Sequence, residues 1–379
     1  MVELGRRIRS LIPEGMSQRQ LAQKTGMTPD ALSRALNGQR GLSPVEVAAI
    51  AEHLGADTHW LITGVDDPFA VSVAARHSWD ARRRVRVNDG HAEDQKILQK
   101  VIAAYRAAHP SGPIPSVDIP ADPISLRELL GPAFVRRFAD VTEDRLGIDV
   151  VRIPGLTTDY SLRIGNRGIV ILATQSSWFR SNWSLAHELG HLALKHHSSY
   201  DSARRVQRDE QAADRFAAAL LIPASALAEL NALTSEKDTA RLVWELGVST
   251  EAIRNQLGRG VGEPVEAVAA ALRKTTPRLL RDNLATIRRG TEPDPTVARE
   301  QGSSARRVPL SLLSALQHQI DLGAASPELL AWALDVPVDD IDFPGPDDVT
   351  ASEAYESMLA DRPNAADWRT MSRGTSAAG

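Results

Sequence analysis

The chain has 379 residues, 42% hydrophobic and 24% charged, a formal net charge of −4 and no cysteine. That length holds two or three separate cores, and the composition is that of a folded rather than a disordered protein. Disulfides, cysteine-ligated metal and a cysteine nucleophile are excluded, as is a nucleic-acid-coating surface, so any DNA contact has to be local.

In chain order, residues 3–62 read as five short helices. "LGRRIRSLI" places Leu4, Ile8, Leu11 and Ile12 on one face. "SQRQLAQKT" is capped by Ser17 and closed at Gly26, and "PDALSRALN" is capped by Thr28 with Pro29 at its first position and Gly38 as its stop. "SPVEVAAIAEHL", capped by Ser43, and "THWLITG" complete the set. Residues 65–92 contain the basic run "ARRRVRV", and the stretch reads as a linker with optional phosphate contacts. A connecting helix follows at 92–108, then the proline-rich "HPSGPIPSVDIPADP".

Next comes a helix over about 125–145, then three strand candidates, "IDVVRI", "YSLRI" and "GIVILA". Two long helices are expected near 182–197 and 206–221, followed by "IPASALAEL" and a helical tail including "VSTEAIRNQL". Residues 264–289 read as helical, 290–307 as a polar linker and 308–342 as an amphipathic helical pair; the end frays. No apolar run is long enough to cross a bilayer and "MVELGRRIRS" lacks a signal peptide's apolar stretch, while the absence of cysteine suits a cytoplasmic protein.

The chemistry concentrates in "LAHELGHLAL". Positions four apart on a helix share a face, so His187 and His191 can reach one ion, with Glu188 beside it as general base. Apolar Leu185, Ala186, Leu189, Leu192 and Ala193 bury the other faces and hold the ligands rigidly. The plain alternative is a buried helix with two satisfied core histidines. Two third ligands compete. His197 has the metzincin spacing, but that pattern breaks the helix with glycine where this chain has Leu194. Glu210 lies on the following helix, with Asp214 one turn later to orient a histidine N–H, and Ala212, Ala213, Ala217 and Ala218 are small enough for close helix approach. Asp209 is a weaker substitute. Tyr160, His196 and Tyr200 are candidates for stabilising an oxyanion, and none stands out.

"SLAHELGHLAL" followed by "DEQAADRFAAALLIP" resembles the ImmA/IrrE family of metallopeptidases over about 124–260. The resemblance implies a zincin fold that cleaves a repressor-type protein, with His187, His191 and Glu210 as ligands of zinc, or manganese, and Glu188 as base. It also implies "GIVILA" as an edge strand along which a substrate segment lies. Ala212 departs from a glutamate often found there.

"MSQRQLAQKTGMTPDALSRALNGQR" has a helix–turn–helix layout and, with the stretch that follows, resembles the Cro and phage-repressor (XRE-type) family. By that likeness Pro29, Asp30 and Arg34 face base edges, while Gln18, Thr28, Ser33, Asn37 and Arg40 contact phosphates. Arg34 is the best base reader, because a guanidinium pairs bidentately with guanine. Residues 1–60 hold seven Lys or Arg against six Asp or Glu, a net of +1, which predicts a shallow salt dependence.

The expected fold is therefore mainly α with a small β-sheet (α+β). A five-helix DNA-binding domain fills 1–64 and a linker with a connecting helix fills 65–123. A zincin-like domain fills 124–260, a helical C-terminal region 261–349, and a tail 350–379. The expected function is a DNA-binding regulator, working as a homodimer on a double-stranded operator. Its peptidase domain uses a metal-activated water to cut a repressor or antitoxin-like partner, or its own linker at 65–92 or 110–123. The alternative is a non-catalytic regulator or antitoxin whose zincin fold binds a partner without cleaving it.

Overall fold

A computed structural model describes residues 2–13, 15–65, 67–75, 78–80, 85–87, 91–197, 203–258, 262–288 and 294–341. The "ARRR" run, Tyr200 and the 350–379 tail lie outside the described residues.

Five helices form the N-terminal module: α1 (Val2–Leu11), α2 (Gln18–Lys24), α3 (Pro29–Leu36), α4 (Pro44–Leu54) and α5 (Thr58–Thr63). Their starts follow the capping chemistry. Ser17 and Ser43 each close a capping box, with Gln20 and Glu46, and Thr28 accepts the Ala31 N–H. Each such cap stabilises its helix by about 1 kcal/mol. The core comprises Ile8, Leu21, Leu32, Leu36, Ile50 and Leu61, with Trp60 packed against it. Gly5 is obligatory: a Cβ there would sit 2.1 Å from the Leu36 carbonyl oxygen, so α1 crosses α3 at backbone contact.

A four-stranded sheet follows, in the order β1 (Val71–Ala75), β5 (Tyr160–Ile164), β6 (Arg167–Ala173), β4 (Asp149–Ile153). A separate two-stranded ribbon pairs β2 (Ser78–Asp80) with β3 (Val85–Val87). β4 runs parallel to β6, while β5 is antiparallel to both β6 and β1. Two expectations change here. "GIVILA" is β6, hydrogen-bonded on both sides, so it is an interior strand and not an edge. Its unbroken apolar run is what burial on both faces requires. The stretch read as a linker supplies β1, whose Ala74 pairs with Ser161 and Ala75 with Tyr160.

The connecting helix, α6 (His91–Ala108), is bonded to the sheet. Tyr105 donates to Asp149 of β4 (2.6 Å) and Tyr160 of β5 donates to Asp94 of α6 (2.8 Å). The helix expected over 125–145 is instead α7 (Pro123–Leu130), a 3-10 turn at Phe134–Arg137, and α8 (Phe138–Leu146), interrupted at Gly131 and Pro132. Against the sheet lies α9 (Trp178–Ala193), and packed on it α10 (Ala203–Leu221). The expected helix to 197 stops early: Lys195 adopts a left-handed conformation (φ 56°) with no glycine present.

Then follow α11 (Ala224–Ala232), α12 (Glu236–Leu246), α13 (Thr250–Leu257), α14 (Glu266–Arg273), α15 (Thr276–Asp282) and α16 (Leu284–Ile287). Most of 290–307 proves not to be a linker. Asp294 caps α17 (Pro295–Ser304), which packs on α9, and Arg307 bridges to Arg152 of β4. The expected C-terminal pair is divided. α18 (Leu310–Asp321) packs on α6, whereas α19 (Glu328–Leu334) belongs to a second compact unit beginning at Ser326. Among the described residues, no helix is long and apolar enough to cross a membrane.

Candidate metal centre and DNA-reading face

His187 and His191 lie on one face of α9 and meet Glu210 from α10, all three buried, with one ligand atom from each within 4.8 Å of the others. The two Nε2 atoms are 3.1 Å apart, and they lie 3.4 Å (His187) and 3.8 Å (His191) from the Glu210 carboxylate. Helix contact this close depends on small residues. Ala213 and Ala217 are fully buried, and a Cβ on Gly190 would lie 3.2 Å from Phe216 and 3.3 Å from the Ala213 Cα.

The outer nitrogens are held as well. His187 Nδ1 lies 3.0 Å from Asp214, and His191 Nδ1 lies 3.0 Å from His196 Nδ1. His196 in turn faces Asp209 at 3.9 Å. With a proton on each ligand's Nδ1, both Nε2 lone pairs point at one centre beside a buried carboxylate. Burial, and the neighbouring His187, hold His191 well below its ordinary pKa and therefore neutral. Two neutral imidazoles and a carboxylate converging in a dry space form a donor set that a divalent cation completes. The residues fit a metal.

Glu188, fully buried on α9, faces the same region. Burial, with Asp159 and Glu210 adding to it and His187 opposing, pushes its carboxyl up to about 7. Such a value suits a group that exchanges protons near neutral pH.

Other candidates fall elsewhere. The group that could hold a metal comprises His187, His191 and Glu210, and His197 is not part of it. Burial and Arg163 lower the His197 pKa to about 4. Tyr160 points away to Asp94. The roles of His196 and Asp209 as holders of His191 were missed, because the turn that swings His196 back requires left-handed Lys195, which no glycine announces.

On the N-terminal module, Gln18, Thr28, Pro29, Asp30, Arg34 and Asn37 are exposed and Ser33 and Arg40 half-buried, all on or beside α2 and α3. Arg34 sits in the last turn of α3. Arg40 is paired with Glu46, so part of its charge is already answered. Asn37 accepts a hydrogen bond from exposed Arg9 of α1 (2.9 Å), which brings to this face a cation that sequence reasoning missed. An arginine on a neighbouring helix, outside any recognisable motif, gives no local signal.

Residues 143–257 match the peptidase family described as the IrrE N-terminal-like domain, and residues 3–60 match the family described as a helix-turn-helix domain. No curated protein and no solved structure matches the chain.

Proposed function

We propose that this chain, a helix-turn-helix domain fused to an IrrE-like, metallopeptidase-type domain, is a DNA-bound regulator that hydrolyses a peptide bond at the His187–His191–Glu210 centre. The observation that carries the reading is the convergence of those three buried ligands with Glu188 on the same helix. A divalent cation held there, zinc or manganese, would supply Lewis acidity toward a peptide carbonyl and a water acidic enough to react near neutral pH.

The rest of the work falls to the protein. Glu188 takes a proton onto its carboxylate from the attacking water and delivers it to the departing amine. Asp214 and His196 fix the ligand tautomers, and Gly190 keeps α10 close enough for Glu210 to reach. The substrate is a repressor or antitoxin-like protein presented as an extended segment.

One observation favours the chain's own linker as a second substrate. β5 carries Ser161, which acts on Glu188, and the outer side of β5 is paired with residues 71–75. Extended peptides bind sheets by adding as a strand, and β1 already stands in such a place. A partner segment would have to displace it, or the segment following β1 is itself cut.

For DNA, Arg34 reads guanine at its O6 and N7, with Pro29 and Asp30 alongside. Gln18, Thr28, Ser33, Asn37 and Arg40 serve phosphates, and two copies span two half-sites. The test is to incubate the purified, metal-loaded chain alone and with proteins encoded by its genomic neighbours, and to follow cleavage by mass spectrometry. Cleavage that disappears in Glu188→Gln, while metal is retained, supports the reading. Regulation that persists unchanged in Glu188→Gln leaves the non-catalytic scaffold in its place.

A further inference from the structure

A cavity of about 400 Å³ lies between the N-terminal half of α9, the 3-10 turn at Phe134–Arg137, β4 and α17. Five arginines line it, Arg136, Arg137, Arg152, Arg299 and Arg307, against the single acid Asp140. Two are answered within the protein. Arg307 bonds Glu143 and Asp140, and Arg137 bonds the same Asp140.

The other three are not matched by a carboxylate among the described residues. Arg136 is exposed at the mouth. Arg299 stacks 3.5 Å from the Trp244 ring centroid and 4.7 Å from that of Trp178, and donates to the Trp244 carbonyl (3.2 Å). Arg152 is only 9% exposed; its Nη1 donates to the Gly302 carbonyl (2.7 Å), while its Nε is buried with no acceptor. Asp159 and Asp140 act on Arg152 only through space. Burial and neighbouring positive charge pull Arg152 and Arg299 down to about 10 each.

A buried guanidinium with a free donor is costly unless something anionic completes it. Arginine's planar fork matches carboxylate and phosphate, and the volume is that of a small-molecule site. Much of the lining, Arg299 and Arg307 with Gly302 and Ser303 on one side and Arg136 and Arg137 on the other, lies outside the matched 143–257 segment. The site is therefore built jointly by the peptidase-type domain and the flanking chain.

We propose that this cavity binds a small anion, a compact molecule bearing phosphate or carboxylate groups, seated on Arg152 with Arg299 and Arg136 closing over it. The ligand joins α9, which carries the metal-binding histidines further along, to α17.

The test is isothermal titration of the full chain with inorganic pyrophosphate, with citrate, and with the neutral polyol sorbitol. The expected result is saturable one-site binding of pyrophosphate or citrate and none of sorbitol, the better anion telling phosphate from carboxylate. Arg136→Glu weakens binding by about tenfold or more, Arg152→Leu abolishes it, and Arg281→Ala, exposed on α15 and outside the cavity, leaves it unchanged. Arg136 is exposed, so its substitution reports on the site even if Arg152→Leu fails to fold. No saturable binding of either anion, or equal affinity in wild type and Arg136→Glu, overturns the proposal.

Discussion

The candidate metal centre and the candidate DNA-reading face solve opposite problems. At the first, His187, Glu188, His191 and Glu210 are buried together, with half-exposed Asp214 beside His187 and His196 beside His191. At the second, the side chains stand in solvent on short capped helices, and the fold beneath supplies only their spacing. Changes at the centre should therefore propagate to stability, metal affinity and turnover together. Changes on the recognition face should alter binding and little else.

The largest effect tests the burial of Glu188. Its carboxyl is raised from 4.5 to about 7 in the fold, so the folded, metal-free protein holds a proton that the unfolded chain has released between those values. That contribution to stability is fully present below 4.5 and is lost as pH rises through 7. The upper bound is about 3 kcal/mol. In chelator-treated protein, the stability advantage of Glu188→Gln over wild type should grow from pH 5 to pH 8 in denaturant melts; a pH-independent difference would show that this carboxylate is solvated.

Next in size, Asp214→Ala should weaken metal binding by roughly 10–100-fold, with α10 still folded by circular dichroism, because the group that fixes the His187 tautomer is gone. Unchanged affinity would remove Asp214 from the centre. On the other side of the comparison, Arg34→Ala should cost roughly 1–3 kcal/mol of operator binding and relax the preference for guanine at one position, without moving the melting temperature. The smallest effect belongs to Arg9. Its replacement by alanine should lower the salt slope of DNA binding by about one and leave sequence preference intact; a change in preference would place it at the bases.

The same contrast explains what could be read from sequence. The elements carrying both candidate sites were legible where the signal is local: HELGH on one helix face, small residues with Glu210 and Asp214 on the next, and Ser17, Thr28 and Ser43 at helix starts. What escaped depends on partners distant in the chain. "VSVAA" is too short to announce a strand, and becomes β1 because it pairs with β5. The run "GIVILA" was itself a signal against an edge position, since edge strands are usually shortened or charged. The α17 helix had its cap, Asp294 before Pro295, inside a stretch dismissed as polar.

The central claim is that His187, His191 and Glu210 hold one catalytic divalent ion. Elemental analysis of purified wild type and Glu210→Ala, after incubation with zinc or manganese and gel filtration, tests it most directly. The account predicts one metal per wild-type chain and close to none in Glu210→Ala. A metal-free wild type, or equal metal in both proteins, would contradict it.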